Sequence, residues 1–277
     1  MRFTNMQGIG NDYIYINCFE EQVKDPAALS VRLSDRHFGI GGDGIILIKP
    51  SENGDAEMDL YNADGSRAKM CGNGIRCVGK YVYERGIAKK DVLKIDTQSG
   101  VKTLYLDVEN DHVRSIRVNM GQPGLTPEAI PTTLPGVENQ TITAAGQDWN
   151  ATCVSMGNPH CVIFVDDVAH FPLETVGPEL ENHPVFPERA NIEFVRMCGE
   201  NEVEMRVWER GSGETWACGT GACASVVAAC LCGKAERQSV VHLRGGDLSI
   251  HWREEDGHVM MRGPAAFVFD GEIDLSE

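Results

Sequence analysis

The chain has no apolar run approaching the roughly 20 residues needed to span a bilayer, and its opening segment, MRFTNMQGIGNDY, has no apolar h-region of a secretory leader. Those absences set the expectation of a cytoplasmic protein that does not meet a membrane. It also has no Lys/Arg-rich run. With 25 basic residues against 41 acidic ones, the net charge of −16 offers nothing to neutralise a phosphate backbone, so nucleic acid is excluded as a partner. There is no CxxC, and Cys71/Cys77, Cys218/Cys223 and Cys230/Cys232 lack the usual zinc-ligand spacings, so no metal is expected. Without a leader, the ten cysteines are expected as free thiols. Cys18, Cys153, Cys161, Cys198, Cys230 and Cys232 sit in apolar strand-like or helix-like runs, where a buried small hydrophobe is expected.

What is present describes a folded protein of 277 residues, 42% hydrophobic and 24% charged, large enough for one big domain or two ordinary ones. Segments of period-2 alternation rich in β-branched residues predict strands: YIYINCF from Tyr13, EMDLYN from Glu57, VLKIDT from Val92, KTLYLDV from Lys102 and VRSIRVNM from Val113. A second set follows at CVIFVDD from Cys161, IEFVRM from Ile192, EVEMRVWER from Glu202 and SVVHLRG from Ser239. Helical spacing occurs at PAALSVRLSD, IRCVGKYVYERG and ACASVVAACLCGK, and more loosely at FPLETVGPELENH.

The two sets repeat each other at a fixed offset of 147. That offset relates Cys71-Gly-Asn-Gly to Cys218-Gly-Thr-Gly, Gly10-Asn11 to Gly157-Asn158, and Tyr61-Asn62 to Trp208-Glu209. Three matches in one order point to a duplicated domain. In each copy a G-N loop leads into a strand, a helix follows, and a later strand ends in a polar loop whose cysteine opens a helix. The second such helix is apolar almost all round, from Ala222 to Leu231, and should be buried in the sheet of its own domain. The segment AAFVFDGEIDL follows the second copy and is expected to return to the first. The domains are therefore drawn at 1–120 plus 264–277, and at 121–263.

Two phosphate-loop patterns fail on context. Gly39-Ile-Gly41-Gly42-Asp43-Gly44 fits GxGxxG, but a helical pattern precedes it and a strand pattern follows, the reverse of a dinucleotide site. Gly74 to Gly79-Lys80 nearly fits a P-loop, yet Tyr81 stands where Ser or Thr would hold Mg²⁺.

The duplicated Cys-Gly-x-Gly carries chemistry. A thiol at a helix start meets free backbone N–H groups and the positive end of the helix dipole, which favour thiolate. The same N–H groups can hold a carboxylate, and the glycines let a ligand approach closely. Inverting a stereocentre by proton transfer needs a base on one face and an acid on the other. Two equivalent helices across a pseudo-two-fold cleft would supply one thiolate and one thiol, exchanging roles in the reverse reaction. Such groups contribute about 10²–10⁴-fold each, so the carbanion also needs the helix N-termini as electrostatic support.

The ordered motifs GIGNDY (8–13), GIGGDG (39–44), YNADGS (61–66), MCGNGIRC (70–77), SMGNPHC (155–161), PERAN (187–191), ERGSGET (209–215) and ACGTGAC (217–223) run through nearly the whole chain and closely resemble diaminopimelate epimerase. The resemblance implies an α+β fold of two pseudo-symmetric repeat domains, each a mostly antiparallel barrel-like sheet wrapped around a central helix. It implies a homodimer that interconverts LL- and meso-2,6-diaminopimelate without pyridoxal phosphate or metal, for lysine and peptidoglycan synthesis. Matching positions make Cys71 and Cys218 the acid–base pair. Gly72, Asn73, Gly219 and Thr220 would offer backbone N–H groups, and Asn11, Asn62, Asn158, Asn191, Glu209 and Arg210 would contact substrate. Arg210 suits a carboxylate in bidentate fashion and Glu209 an ammonium. His160 matches a family histidine near the cleft, in either a supporting catalytic role or a structural hydrogen bond. Gly44 departs from members that carry a substrate-touching glutamine there.

Two other readings stand beside this one. A proline or hydroxyproline racemase shares the two-cysteine logic, but those enzymes resemble MCGH at the first cysteine, where this chain has Asn73. A binding protein that has lost turnover would keep the same motifs, and an assay separates it.

Overall fold

The computed structural model describes residues 1–275, so the last two positions of the expected segment 264–277 lie outside the described residues. The chain divides into two units, Met1–Val118 with the chain from Gly263 on, and Asn119–Arg262.

The first unit runs β1 (Arg2–Gly8), β2 (Asn11–Asn17), α1 (Pro26–Ser34), β3 (Gly44–Lys49), β4 (Ala56–Asn62), β5 (Arg67–Ala68), α2 (Gly72–Glu84), β6 (Val92–Asp96), β7 (Lys102–Glu109) and β8 (His112–Asn119). The second runs β9 (Gln140–Ala144), β10 (Gln147–Ser155), β11 (Pro159–Phe164), α3 (Leu173–Glu181), β12 (Asn191–Gly199), β13 (Glu202–Glu209), β14 (Gly213–Thr215), α4 (Gly219–Leu231), β15 (Gln238–Leu243), β16 (Gly246–Trp252) and β17 (Val259–Gly263). Then β18 (Ala266–Glu272) pairs antiparallel with β1, from Arg2 opposite Glu272 to Gln7 opposite Ala266.

The strand order in the first unit is β18-β1-β2-β3-β4-β6-β7-β8, with β5 folded back on β4. In the second it is β9-β10-β11-β12-β13-β15-β16-β17, with β14 on β13. Two parallel pairs interrupt each antiparallel run at matching places: β2/β3 and β4/β6 in one unit, β11/β12 and β13/β15 in the other. The connections that make them parallel carry α1 and α2 in one unit, α3 and α4 in the other, since a parallel pair needs a crossover.

The helix after each cysteine is the core of its unit. α4 packs against β10, β11, β12, β13, β15 and β16, and α2 against β1, β2, β4, β6 and β7. The sequence of α4, GTGACASVVAACL, combines helix-favouring alanine with side chains small enough for strands to close round it. In α2 the surprise is Arg76, wholly buried. Its Nη1 donates to Gly72 O (3.1 Å), its Nη2 to Asn73 Oδ1 (3.0 Å) and its Nε to Pro264 O (3.0 Å), which satisfies a charge that burial would otherwise penalise heavily. α1 starts at the capping carboxylate of Asp25, which accepts from Ala28 N, with Pro26 in the first turn.

One expectation needs correction. Cys153 and Cys161 are buried, but Cys198 is exposed and Cys18, Cys230 and Cys232 are half-buried. β12 runs past the edge of the core, so the apolar look of its last residues reflects strand propensity and not burial. Among the described residues no helix is long and apolar enough to cross a membrane.

Candidate active site

Each Cys-Gly-x-Gly motif caps its helix. Cys71 and Cys218 both have extended backbone, at φ/ψ of −131/122 and −119/107, and stand at the N-cap of α2 and α4. The preceding strands, β4 and β13, end nine residues earlier at Asn62 and Glu209. Each then folds back through a short hairpin strand that delivers the chain to the cap.

In the first unit, Cys71 Sγ accepts from Gly74 N and donates to Asn11 Oδ1, each at 3.3 Å. Asn11 is held from behind by Asp43, whose Oδ2 accepts from Asn11 Nδ2 at 2.6 Å. Burial, with Asp12 beside it, raises the Asp43 carboxyl above its ordinary range. The loop presenting Asn11 holds Ile9 at φ 49, a left-handed conformation that β-branched residues avoid at a cost of about 1–3 kcal/mol. Tyr13, raised by burial with Cys71 and Asp43 adding to it, lies behind the thiol. Asn62 is half-buried at the end of β4, its Nδ2 donating to Ser66 Oγ at 3.0 Å. Asn73 is turned inward onto Arg76, which leaves Gly72 and Asn73 to act through backbone.

Gly44 takes φ 155, and a Cβ there would stand 2.1 Å from Tyr61 O. No side chain of any kind fits at that position in this backbone, so the absent glutamine has no vacant place here.

In the second unit the cysteine is buried where Cys71 is half-buried, and Glu193, His160 and Glu209 stand where the first unit has Ile46, Tyr13 and Asn62. Cys218 has no capping hydrogen bond to its side chain. Its Sγ lies 3.5 Å from Thr220 Oγ1, which accepts from Asn158 Nδ2 at 3.4 Å. His160, wholly buried, bridges Asn158 Oδ1 (3.0 Å from Nε2) and Glu193 Oε1 (2.7 Å from Nδ1). Glu209 accepts a short hydrogen bond from Thr215 Oγ1, and burial raises its carboxyl above the ordinary range. At Cys218 burial opposes the pull of the helix N-terminus toward thiolate in the free protein. Burial lifts its thiol well above the ordinary value, and the carboxylates of Glu209 and Glu193 add to the lift.

Asn191 is occupied by backbone, with Nδ2 donating to Pro159 O (2.9 Å) and Oδ1 accepting from Arg210 N (3.0 Å). It pins the start of β12 and the turn that carries Arg210, whose Nη1 donates to Glu188 O at 2.8 Å.

Three neighbours of the cysteines escaped the sequence reading: Tyr13, Asp43 and Glu193. The 147 offset places Tyr13 opposite His160 and would have drawn attention to it. Glu193 had one signal, a charge inside an otherwise apolar strand segment, Ile192–Val195. For metal, Cys198, Glu202 and His242 bring one ligating atom each within 4.8 Å of one another. They sit at exposed strand ends, with His242 Nδ1 already bonded to Asp247 at 2.8 Å.

The chain matches the family profile described as Diaminopimelate epimerase over residues 3–126 and 152–268. It is 53% identical over 279 residues to a diaminopimelate epimerase of Acetivibrio thermocellus, covering 100% of both chains. It is 54% identical over 284 residues to that of Agathobacter rectalis, covering 99% of this chain and 100% of the other. Among solved structures, a phenazine biosynthesis protein of the PhzF family from Bacillus anthracis superposes with a TM-score of 0.72 at 16% identity, covering 99% of each chain, a likeness of fold.

Proposed function

The chain belongs to the diaminopimelate epimerase family, and from that premise we propose that it interconverts LL- and meso-2,6-diaminopimelate in lysine and peptidoglycan precursor synthesis. The observation that carries the chemistry is the pair of cysteines at equivalent helix N-caps, each with an amide, Asn11 or Asn158, at or one hydroxyl from its sulfur.

One cysteine, as thiolate, removes the α-proton. The Cα–H bond breaks, its electron pair stays on carbon, and the proton forms an S–H bond. The other cysteine, as thiol, delivers its proton to the opposite face and becomes thiolate. The net reaction consumes nothing, needs neither pyridoxal phosphate nor metal, and leaves the two sulfurs in exchanged states. Each proton transfer contributes about 10²–10⁴-fold. The backbone N–H groups of Gly72-Asn73 and Gly219-Thr220 bind the α-carboxylate and stabilise the charge that develops on it.

The charged side chains lie in the second unit. Arg210 grips a carboxylate and Glu209 accepts from an ammonium, while Asn11, Asn62 and Asn158 orient the substrate by their amides. Asn191 acts by holding the turn of Arg210. The protein works in the cytoplasm as a homodimer. Chiral chromatography of LL-diaminopimelate incubated with the purified protein tests the reading. The meso isomer should accumulate, and Cys71→Ala or Cys218→Ala should abolish it by orders of magnitude. Near-normal turnover by either variant, or turnover of proline in place of diaminopimelate, would contradict it.

A further inference from the structure

A chain of hydrogen bonds runs behind Cys218, and its far end is Glu193. This glutamate is fully buried on β12, with Oε1 2.7 Å from His160 Nδ1 and Oε2 buried without a hydrogen-bond partner among the described residues. A Cβ on Gly221 would stand 2.6 Å from Glu193 Oε1, so the carboxylate is pressed against the first turn of α4. From His160 the contacts continue through Asn158 and Thr220 to the Cys218 sulfur.

The polarity of this chain follows from its ends. A carboxylate only accepts, so His160 Nδ1 carries a proton toward Glu193. His160 Nε2 faces the oxygen of Asn158 and must also donate, which makes the ring an imidazolium balanced by Glu193. Asn158 then donates through Nδ2 to the oxygen of Thr220, and the hydroxyl proton of Thr220 is left to point at Cys218 Sγ. From His160 Nε2 onward every bond donates toward the sulfur. The first unit has no counterpart, because the 147 offset places Tyr13 opposite His160 and Ile46 opposite Glu193, and there Asp43 anchors Asn11 directly.

We propose that Glu193 is a positioning residue for the Cys218 half-reaction, fixing His160 as a double donor so that Thr220 donates to the Cys218 thiolate. This rests on the reading of Cys218 as an acid–base group. Without the carboxylate His160 loses its second proton, and its bare Nε2 repels Asn158 Oδ1. The amide turns over, and Thr220 donates to Asn158 instead of to sulfur. The other ionisable groups facing this site are Glu209 at the end of β13, which lies by both His160 and Cys218, and Cys161 on β11, which lies by Glu193.

The test is kcat/KM against pH for Glu193→Gln and the unmodified protein, with LL-diaminopimelate as substrate. Near neutral pH the variant should be about tenfold slower, with KM changed by less than about twofold. The carboxylate that raises Cys218 and the imidazolium charge that balances it disappear together, so the lost Thr220 donation decides the sign: the alkaline-rising limb should move up by about one pH unit, and the loss is recovered at high pH. Thr220→Val should give the same shift, and the double variant should be no worse than either single one. A profile that superimposes on the unmodified protein's, or a loss equal at every pH, overturns the proposal. ¹⁵N chemical shifts of the His160 ring in the unmodified protein decide the matter even if the variant does not fold. Two protonated nitrogens near neutral pH are expected, and an unprotonated Nδ1 or Nε2 overturns it. An unmodified protein with no activity on diaminopimelate refutes the proposed function itself, whereas an active one with an unshifted variant refutes only the role of Glu193.

Discussion

Gly74 and Gly221 occupy the same place in the two repeats, three residues past each cysteine, yet alanine at the two positions should have different effects. Neither takes a positive φ, so the backbone accepts alanine, and helix propensity favours it by about 1 kcal/mol. At Gly74 the added Cβ meets Ile46 Cδ1 at 2.7 Å, the far end of a side chain that can rotate away. At Gly221 it meets the Glu193 carboxylate at 2.6 Å, with Cys218 Sγ at 3.3 Å on the other side. Glu193 cannot swing aside without leaving His160, its one side-chain hydrogen-bond partner among the described residues. Overpacking of this kind costs about 1–3 kcal/mol. Gly74→Ala should therefore be stability-neutral to within about 1 kcal/mol. Gly221→Ala should lose up to about 2 kcal/mol net and, by displacing Glu193, about tenfold or more in kcat/KM. Urea unfolding with a steady-state assay on both variants measures this. Equal effects at the two sites, or a fully active Gly221→Ala, would refute the steric reasoning.

Cys77, pushed up to about 11 by burial, is a neutral thiol at working pH. Cys77→Ala, like Cys223→Ala, should keep most of its activity in the same assay. Glu181 accepts from Trp208 Nε1 (2.8 Å), Gly211 N (2.9 Å) and Arg189 Nη1 (3.1 Å), and so holds the turn that carries Arg210. Glu181→Gln should cost about 1.5–3 kcal/mol in denaturant unfolding and raise KM severalfold more than it lowers kcat. The hydrogen bond from Arg206 holds the Glu214 carboxyl below its ordinary value. Its stabilisation is then complete above the unfolded value of about 4.3 and disappears as pH falls through the lower folded value. Urea midpoints between about pH 6 and 3 should fall less steeply in Glu214→Gln than in the unmodified chain.

The sequence showed the duplication because the cysteine loops must keep their register to the helices they cap, and so Cys-Gly-x-Gly recurs at a single spacing. It also showed that each cysteine opens a helix, since small residues crowd the first turn and apolar ones follow. Strands with one wet face, such as β6 and β7, were legible by alternation. β1 and β10, buried along most of their length, carry no such period. The state of Cys218 was not legible. A helix N-terminus is a local feature, whereas burial and the carboxylates of Glu193 and Glu209 arrive from strands distant in sequence. The role of Asn191 was hidden for the same reason. Whether an amide faces a ligand or a neighbouring stretch of backbone depends on what the fold places behind it.

The division of labour between Cys71 and Cys218 is tested most directly in ²H₂O. The thiolate that removes the α-proton keeps it on its own face, and return from that thiol restores the original hydrogen. The proton delivered to the other face comes from the second thiol, which exchanges with solvent in the free enzyme. At less than about a tenth of conversion, mass spectrometry of the separated isomers should find deuterium at the inverted carbon of the product and protium in the remaining substrate. Equal labelling of substrate and product at that stage would mean a single shared base or an intermediate open to water, and would contradict the two-cysteine account.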